Sequence, residues 1–275
     1  IKGIILGFYY PNNTFLFIPS DKFNDFFNSR LQLLDLNPYF TKAVFASMYF
    51  PLGNMVMYPF SLLPKFPSFV LFITISIFYF IYITASNLIS CSRNIFMKNV
   101  FIFSLLTYPF LFTIDRANIE IILFFFLYLF IFFFQNKKFM FSVIFLAIAI
   151  AMKGFPIVLL FLLLSQKKFK DTICFPCSNN NILQRGVSLF TLVKLFFIQT
   201  NAISSINIAQ FLSIYSKLVI FSTLLLGYYV IFIEKEMWKK VMILVGVMLL
   251  FPQVSADYKL IHLFIPLFIF INSTE

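Results

Sequence analysis

Six ionisable residues stand where apolar stretches of the chain stop: Asp21, Asp25, Asp115, Arg116, Lys153 and Asp257. A carboxylate at such a place can take the proton of an attacking hydroxyl. Arginine offers phosphate a planar fork of donors, and lysine offers a point charge. Both stabilise negative charge that builds on a departing group. Together they suit attack by a hydroxyl on a centre whose leaving group is an anion. Asp21 and Asp25 are the two candidate bases, and Asp21, in Pro19-Ser20-Asp21, equally suits a helix cap. Arg116 and Lys153 are expected to reach one phosphate together, with Asp115 pairing with or orienting Arg116. Glu120 reads as a helix N-terminal charge favoured by the dipole, and His262 as an interfacial or packed histidine. No Asp-x-Asp pair marks a metal, and none is expected; neither is a cofactor.

The elements that hold these residues must be membrane helices. Of 275 residues, 61% are hydrophobic and 11% charged, with 44 Phe, and the mean hydropathy is +0.95. A soluble domain carries about 25% charged residues; this chain has too few polar side chains to cover a surface in water. That excludes a soluble enzyme, a secreted disulfide scaffold and a nucleic-acid-binding module. The formal charge of +11 belongs to loops that orient helices. Cys174-Phe175-Pro176-Cys177 has no second pair to complete a zinc site and no thioredoxin-like surroundings, so it reads as a loop feature. Glycine-rich nucleotide loops are absent.

Apolar runs of bilayer length predict an all-α, polytopic helical membrane protein with about nine to ten crossing segments. Ile1–Tyr10 is too short to span alone and reads as the end of a truncated first helix or of a signal anchor. Pro11–Pro67 is a long mixed segment; its apolar part, Ala46–Leu63, is interrupted by Pro51, Gly53 and Pro59 and reads as a re-entrant or surface-lying helix. Spans follow at Ser68–Ser90, Asn99–Ile114, Asn118–Phe134, a broken pair Phe139–Met152 and Phe155–Leu164, then Val187–Thr200, Phe211–Ile233, Val241–Gln253 and Tyr258–Ile271. The whole chain, 1–275, reads as one transmembrane domain.

Alternate loops carry the basic residues: Arg93 and Lys98, Lys137 and Lys138, Lys167 to Arg185, and Lys235 to Lys240. Under the positive-inside rule these are cytoplasmic. The stretch 139–164 starts and ends at such loops, so it must cross an even number of times, and Lys153-Gly154-Phe155-Pro156 supplies the break. By this count all six residues of the opening set lie on the extracytoplasmic face. Charges gathered at helix ends near lipid are costly and mark a site.

Four stretches, in order, resemble glycosyltransferase family 87, membrane enzymes of the C superfamily that use polyprenyl-phosphate sugars. The first is Ser20-Asp21-Lys22-Phe23-Asn24-Asp25-Phe26-Phe27-Asn28 with Asn37-Pro38-Tyr39, similar to the family's acidic first outer loop. The second is Tyr49-Phe50-Pro51 with Tyr58-Pro59-Phe60 and Leu63-Pro64. The third is Asp115-Arg116-Ala117-Asn118-Ile119-Glu120, followed by Met152-Lys153-Gly154-Phe155-Pro156. The fourth is Ser255-Ala256-Asp257-Tyr258-Lys259-Leu260. One departure is Ala117, where the family usually has glycine.

The resemblance implies a GT-C-like fold and an inverting hexosyltransferase, with mannose as the suggested sugar. Its partners would be a polyprenyl-phosphate sugar donor, an envelope glycan or glycolipid acceptor, and the bilayer of a plasma or inner membrane. It favours Asp25 over Asp21 as the base, because Asn24-Asp25-Phe26-Phe27 is nearer the family's pattern. It assigns Asp115, Arg116, Asn118, Lys153, Asp257 and Tyr258 to substrate binding. The competing reading is a multi-pass transporter or flippase for a lipid-linked or anionic substrate, because broken helices around a lysine also build transport sites. The acidic outer loop and the one-sided charges favour the transferase.

Overall fold

A computed structural model describes residues 23–35, 37–40, 46–90, 99, 104–165, 208–252 and 257–273. Asp21, the Cys174–Cys177 pair, the segment 1–10 and the span expected at 187–200 lie outside them. Among the described residues every regular element is a helix, as the composition predicts. The chain divides into two compact units that meet in sequence between Gly154 and Phe155.

In the first unit, α1 (Asn24–Leu33) follows Phe23, which is left-handed at φ 57°, and carries Asp25 in its first turn and Arg30 in its last. Both charges complement the helix dipole. Phe26, fully buried, sits among Phe27, Phe60, Phe69 and Phe72 with ring centroids 5.1–6.3 Å away. Helix α2 (Pro51–Leu62) opens on Pro51, whose missing N–H costs nothing in a first turn, and runs through Pro59 without ending. Arg30 Nη2 donates to the Leu63 carbonyl at 2.9 Å, tying α1 to the far end of α2. The expected interrupted segment is therefore a 12-residue helix.

Helix α3 (Lys65–Ser90) has 26 residues, about 39 Å at 1.5 Å per residue, enough to cross a hydrocarbon core of about 30 Å. The hydroxyls of Ser76 and Thr84 donate to carbonyls four residues back, which spares them an unsatisfied position among apolar neighbours. The span expected over 99–114 differs: residues 105–107 form a turn, and α4 (Tyr108–Arg116) begins only there. Pro109 lies in its first turn, where a ring with no N–H starts a helix but does not continue one.

Helices α5 (Glu120–Gln135) and α6 (Phe139–Met152) form an antiparallel hairpin. Lys137, left-handed at φ 57°, makes the tight corner between them. Phe133 stacks on Phe145 at 5.4 Å with the rings 3° from parallel, and the Ser142 hydroxyl donates to the Phe130 carbonyl within the contact. Helix α6 stops at Met152, because Lys153 turns extended (φ −148°, ψ 130°).

The second unit starts with a 3₁₀ turn, Phe155–Leu159, and α7 (Leu160–Ser165). Helix α8 (Ile208–Phe232) is the second element long and apolar enough to cross a membrane. The ring of Phe161 packs where a Cβ on Gly227 of α8 would come within 2.6 Å, so a larger residue there would have to displace that ring. Helix α9 (Met237–Leu250) packs its start on the last helix through Trp238 and Phe270, 4.9 Å apart. The last expected span is not a single α-helix: Asp257–Leu263 is 3₁₀, and α10 (Phe264–Ser273) follows.

Candidate active site

The chain entering α1 is fastened to the end of α4. The Phe23 N–H donates to the Asp115 carbonyl at 2.6 Å, and this places the first turn of α1 against Arg116. Arg116 then grips Asp25 from two directions: Nη2 to Oδ1 at 2.9 Å and Nε to Oδ2 at 3.4 Å. Asn118 Nδ2 donates to the same Oδ2 at 2.6 Å. The Asp25 and Arg116 side chains keep 17% and 19% exposure, so the pair stays within reach of a ligand. Asp115 is buried and its carbonyl takes the Phe23 N–H, while Arg116 pairs with Asp25.

The turn between α4 and α5 explains the order Asp-Arg-Ala-Asn. Ala117 is left-handed (φ 46°, ψ 47°). Its N–H donates to Ile114 O, and the Asn118 N–H to Thr113 O, the two bonds of a helix-ending turn that normally takes glycine. Alanine there costs about 1 kcal/mol, which accounts for glycine being usual in the pattern this stretch resembles. The turn aims Asn118 at Asp25. It also lets Asn118 Oδ1 accept the Glu120 N–H at 3.0 Å, satisfying one of the open donors at the start of α5.

The hairpin brings in the second cation. Glu120 opens α5 and Lys153 ends α6, so antiparallel packing sets them side by side. Lys153 Nζ lies 2.5 Å from Glu120 Oε1, with the glutamate side chain fully buried and the lysine 14% exposed. Tyr49 covers the ammonium with its ring, 4.8 Å from Nζ to the centroid. Desolvation raises the Tyr49 phenol above its ordinary range; the Lys153 charge opposes this, while Asp25 and Glu120 add to it, and a hydrogen bond with Ser29 opposes it again. Tyr49 is thus a neutral hydroxyl at physiological pH.

Close backbone approach holds this corner together. Phe50 N–H donates to Met152 O at 3.3 Å, and a Cβ on Gly53 would sit 3.1 Å from that same carbonyl. A Cβ on Gly154 would meet the Phe50 ring at 3.1 Å.

The structure therefore joins Asp25, Arg116, Asn118 and Lys153 of the expected set into one connected cluster, with Glu120 and Tyr49 added. Arg116 and Lys153, expected to share one phosphate, each hold a carboxylate. Glu120 was legible only as a helix-start charge; its place at the start of the hairpin that Lys153 ends was the missed signal. Asp257 and Tyr258 lie in the 3₁₀ segment of the second unit. There Lys259 stands 4.4 Å over the Phe155 ring, and buried His262 meets the same ring edge-on at 6.3 Å.

Among the described residues every regular element is a helix, two of them long and apolar enough to cross a membrane, which is the character of a helical membrane protein. Residues 48–177 match the model of glycosyltransferase family 87, a GT-C-like family of membrane glycosyltransferases, which bears out the resemblance carried by the motifs. The matched stretch contains Tyr49, Arg116, Asn118, Glu120 and Lys153; Asp25 precedes it. No curated protein and no solved structure matches the chain.

Proposed function

We propose that this membrane glycosyltransferase moves a sugar, mannose by resemblance, from a polyprenyl-phosphate donor to a hydroxyl of an envelope glycan or glycolipid, on the extracytoplasmic face and with inversion. The observation that carries the reading is the convergence of an accessible carboxylate, Asp25, with two cations, Arg116 and Lys153, at the ends of apolar helices. In this mechanism the acceptor oxygen attacks the anomeric carbon from the face opposite the phosphate. Its proton passes to Asp25. The bond from the anomeric carbon to the phosphate oxygen breaks, and polyprenyl phosphate leaves with the electron pair. Arg116 and Asn118 orient the Asp25 carboxylate, and Oδ1, which takes one of these bonds, can accept a further one through its second lone pair. Arg116, with five N–H donors, can serve Asp25 and a phosphate oxygen together, and Lys153 meets the developing anion as a point charge. By the same resemblance Asp257 and Tyr258 bind sugar hydroxyls. The polyprenyl chain remains in lipid against the apolar helices.

The test is release of polyprenyl phosphate from a radiolabelled polyprenyl-phosphate mannose by the purified protein in liposomes with membrane glycolipid acceptors. Label appearing in the acceptor with stoichiometric polyprenyl phosphate is the expected result. Movement of intact donor across the bilayer without bond cleavage would instead establish the transporter reading.

A further inference from the structure

We infer that Glu120 and Tyr49 are positioning residues that act through Lys153, fixing its ammonium where the leaving phosphate of the transferase reaction develops charge; the inference rests on that reading. A lysine side chain has four rotatable carbons and a strongly hydrated head, so at the end of a helix it would sample many positions. Here three features restrict it. The backbone at Lys153 is extended and tied, through Met152 O, to the Phe50 N–H. Below the ammonium lies the Glu120 carboxylate, fully buried, and over it lies the Tyr49 ring.

A fully buried glutamate is costly unless paired. Its retention at the start of an apolar helix, where an uncharged polar residue would satisfy the helix end, points to the charge it supplies to Lys153. The same residue is linked to the base: Asn118 binds the Glu120 N–H with its oxygen and Asp25 with its nitrogen. Tyr49 closes the arrangement from the other side, with its ring 4.8 Å from the Lys153 ammonium. The two cations are thereby set in fixed relation to the base. This arrangement suits a reaction in which proton removal and leaving-group departure occur on one small centre.

A double-mutant cycle on transfer from polyprenyl-phosphate mannose separates action through Lys153 from a general structural role. Glu120→Gln alone should lower kcat/KM for the donor about tenfold or more, with the acceptor KM unchanged and Glu120→Asp restoring part of the loss. Tyr49→Leu, which removes the ring over the ammonium, should resemble Glu120→Gln, and Tyr49→Phe, which keeps it, should lose less than Tyr49→Leu. In the Lys153→Met background, adding Glu120→Gln should cause no further loss. Additive losses, or wild-type donor use by Glu120→Gln, overturn the inference while the transferase reading stands. Acylation of Lys153 by an amine reagent in the purified chain gives a readout independent of turnover. Glu120→Gln should speed it several-fold and leave Lys259 unchanged; equal rates at Lys153 in both proteins overturn the positioning role even if the wild type transfers no sugar.

Discussion

Arg116 and Lys153 differ in what their substitution removes. Lys153→Met deletes a point charge and leaves Glu120 buried without its cation, so it should reduce turnover of the lipid-phosphate donor by about 10- to 1000-fold, the scale of losing one stabiliser of a developing anion. Steady-state kinetics at varied donor concentration measures this. Arg116→Lys keeps the charge but loses the fork that contacts both Asp25 oxygens at once. It should cost about tenfold or more in kcat, and Arg116→Ala should cost more. Wild-type turnover in both lysine and alanine variants at 116 would remove arginine from the site. At this scale the sequence was informative about residue type and poor about partnership. Asp25 and Arg116 are 91 positions apart, and nothing in either local pattern says that α1 docks on the end of α4. Asp115 was the natural partner by adjacency, but neighbours in a helix point to different faces, and α1 supplies a carboxylate that meets Arg116 from 91 positions away.

The elements show which local rules decided the fold. The α5–α6 hairpin was readable because two unbroken apolar runs flank Asn136-Lys137-Lys138. The 3₁₀ character of 257–263 and the turn at 105–107 were not, since apolarity alone does not distinguish a continuous span from a broken one. Two tight places carry predictions. Ala117 is left-handed and buried, so Ala117→Val places a β-branched side chain in the region it tolerates least. The variant should unfold at lower temperature than wild type and lose donor use, whereas Ala117→Gly should match or exceed wild-type stability, the relief of about 1 kcal/mol being partly offset by a lost buried methyl. Gly53→Val should push the start of α2 off the Met152 carbonyl, 3.1 Å from the new Cβ, and displace Tyr49 from Lys153. Thermal melts in detergent, with donor kinetics beside them, check both positions; a stable, active Gly53→Val protein would show that α2 need not approach so closely.

For the molecule as a whole, the sidedness rests on the alternation of basic loops. In a variant with Cys91, Cys174 and Cys177 changed to serine, Met48→Cys, exposed beside the site, should react with a membrane-impermeant thiol reagent in intact cells. Asn136→Cys, at the exposed corner of the hairpin, should react only after permeabilisation. Labelling at 136 in sealed cells would invert the sidedness and move the site to the cytoplasm. In the proposed mechanism Asp25 accepts the proton of the attacking hydroxyl. The decisive experiment compares transfer from radiolabelled polyprenyl-phosphate mannose by wild type, Asp25→Asn and Asp21→Asn, with polyprenyl-phosphate binding measured on the same preparations. Asparagine keeps the shape and the hydrogen bond that Asn118 donates, but it removes the basic oxygen. Asp25→Asn should bind polyprenyl phosphate, fold as wild type and transfer no sugar, while Asp21→Asn remains active. An active Asp25→Asn protein alongside a dead Asp21→Asn protein would contradict the account and move the base to Asp21.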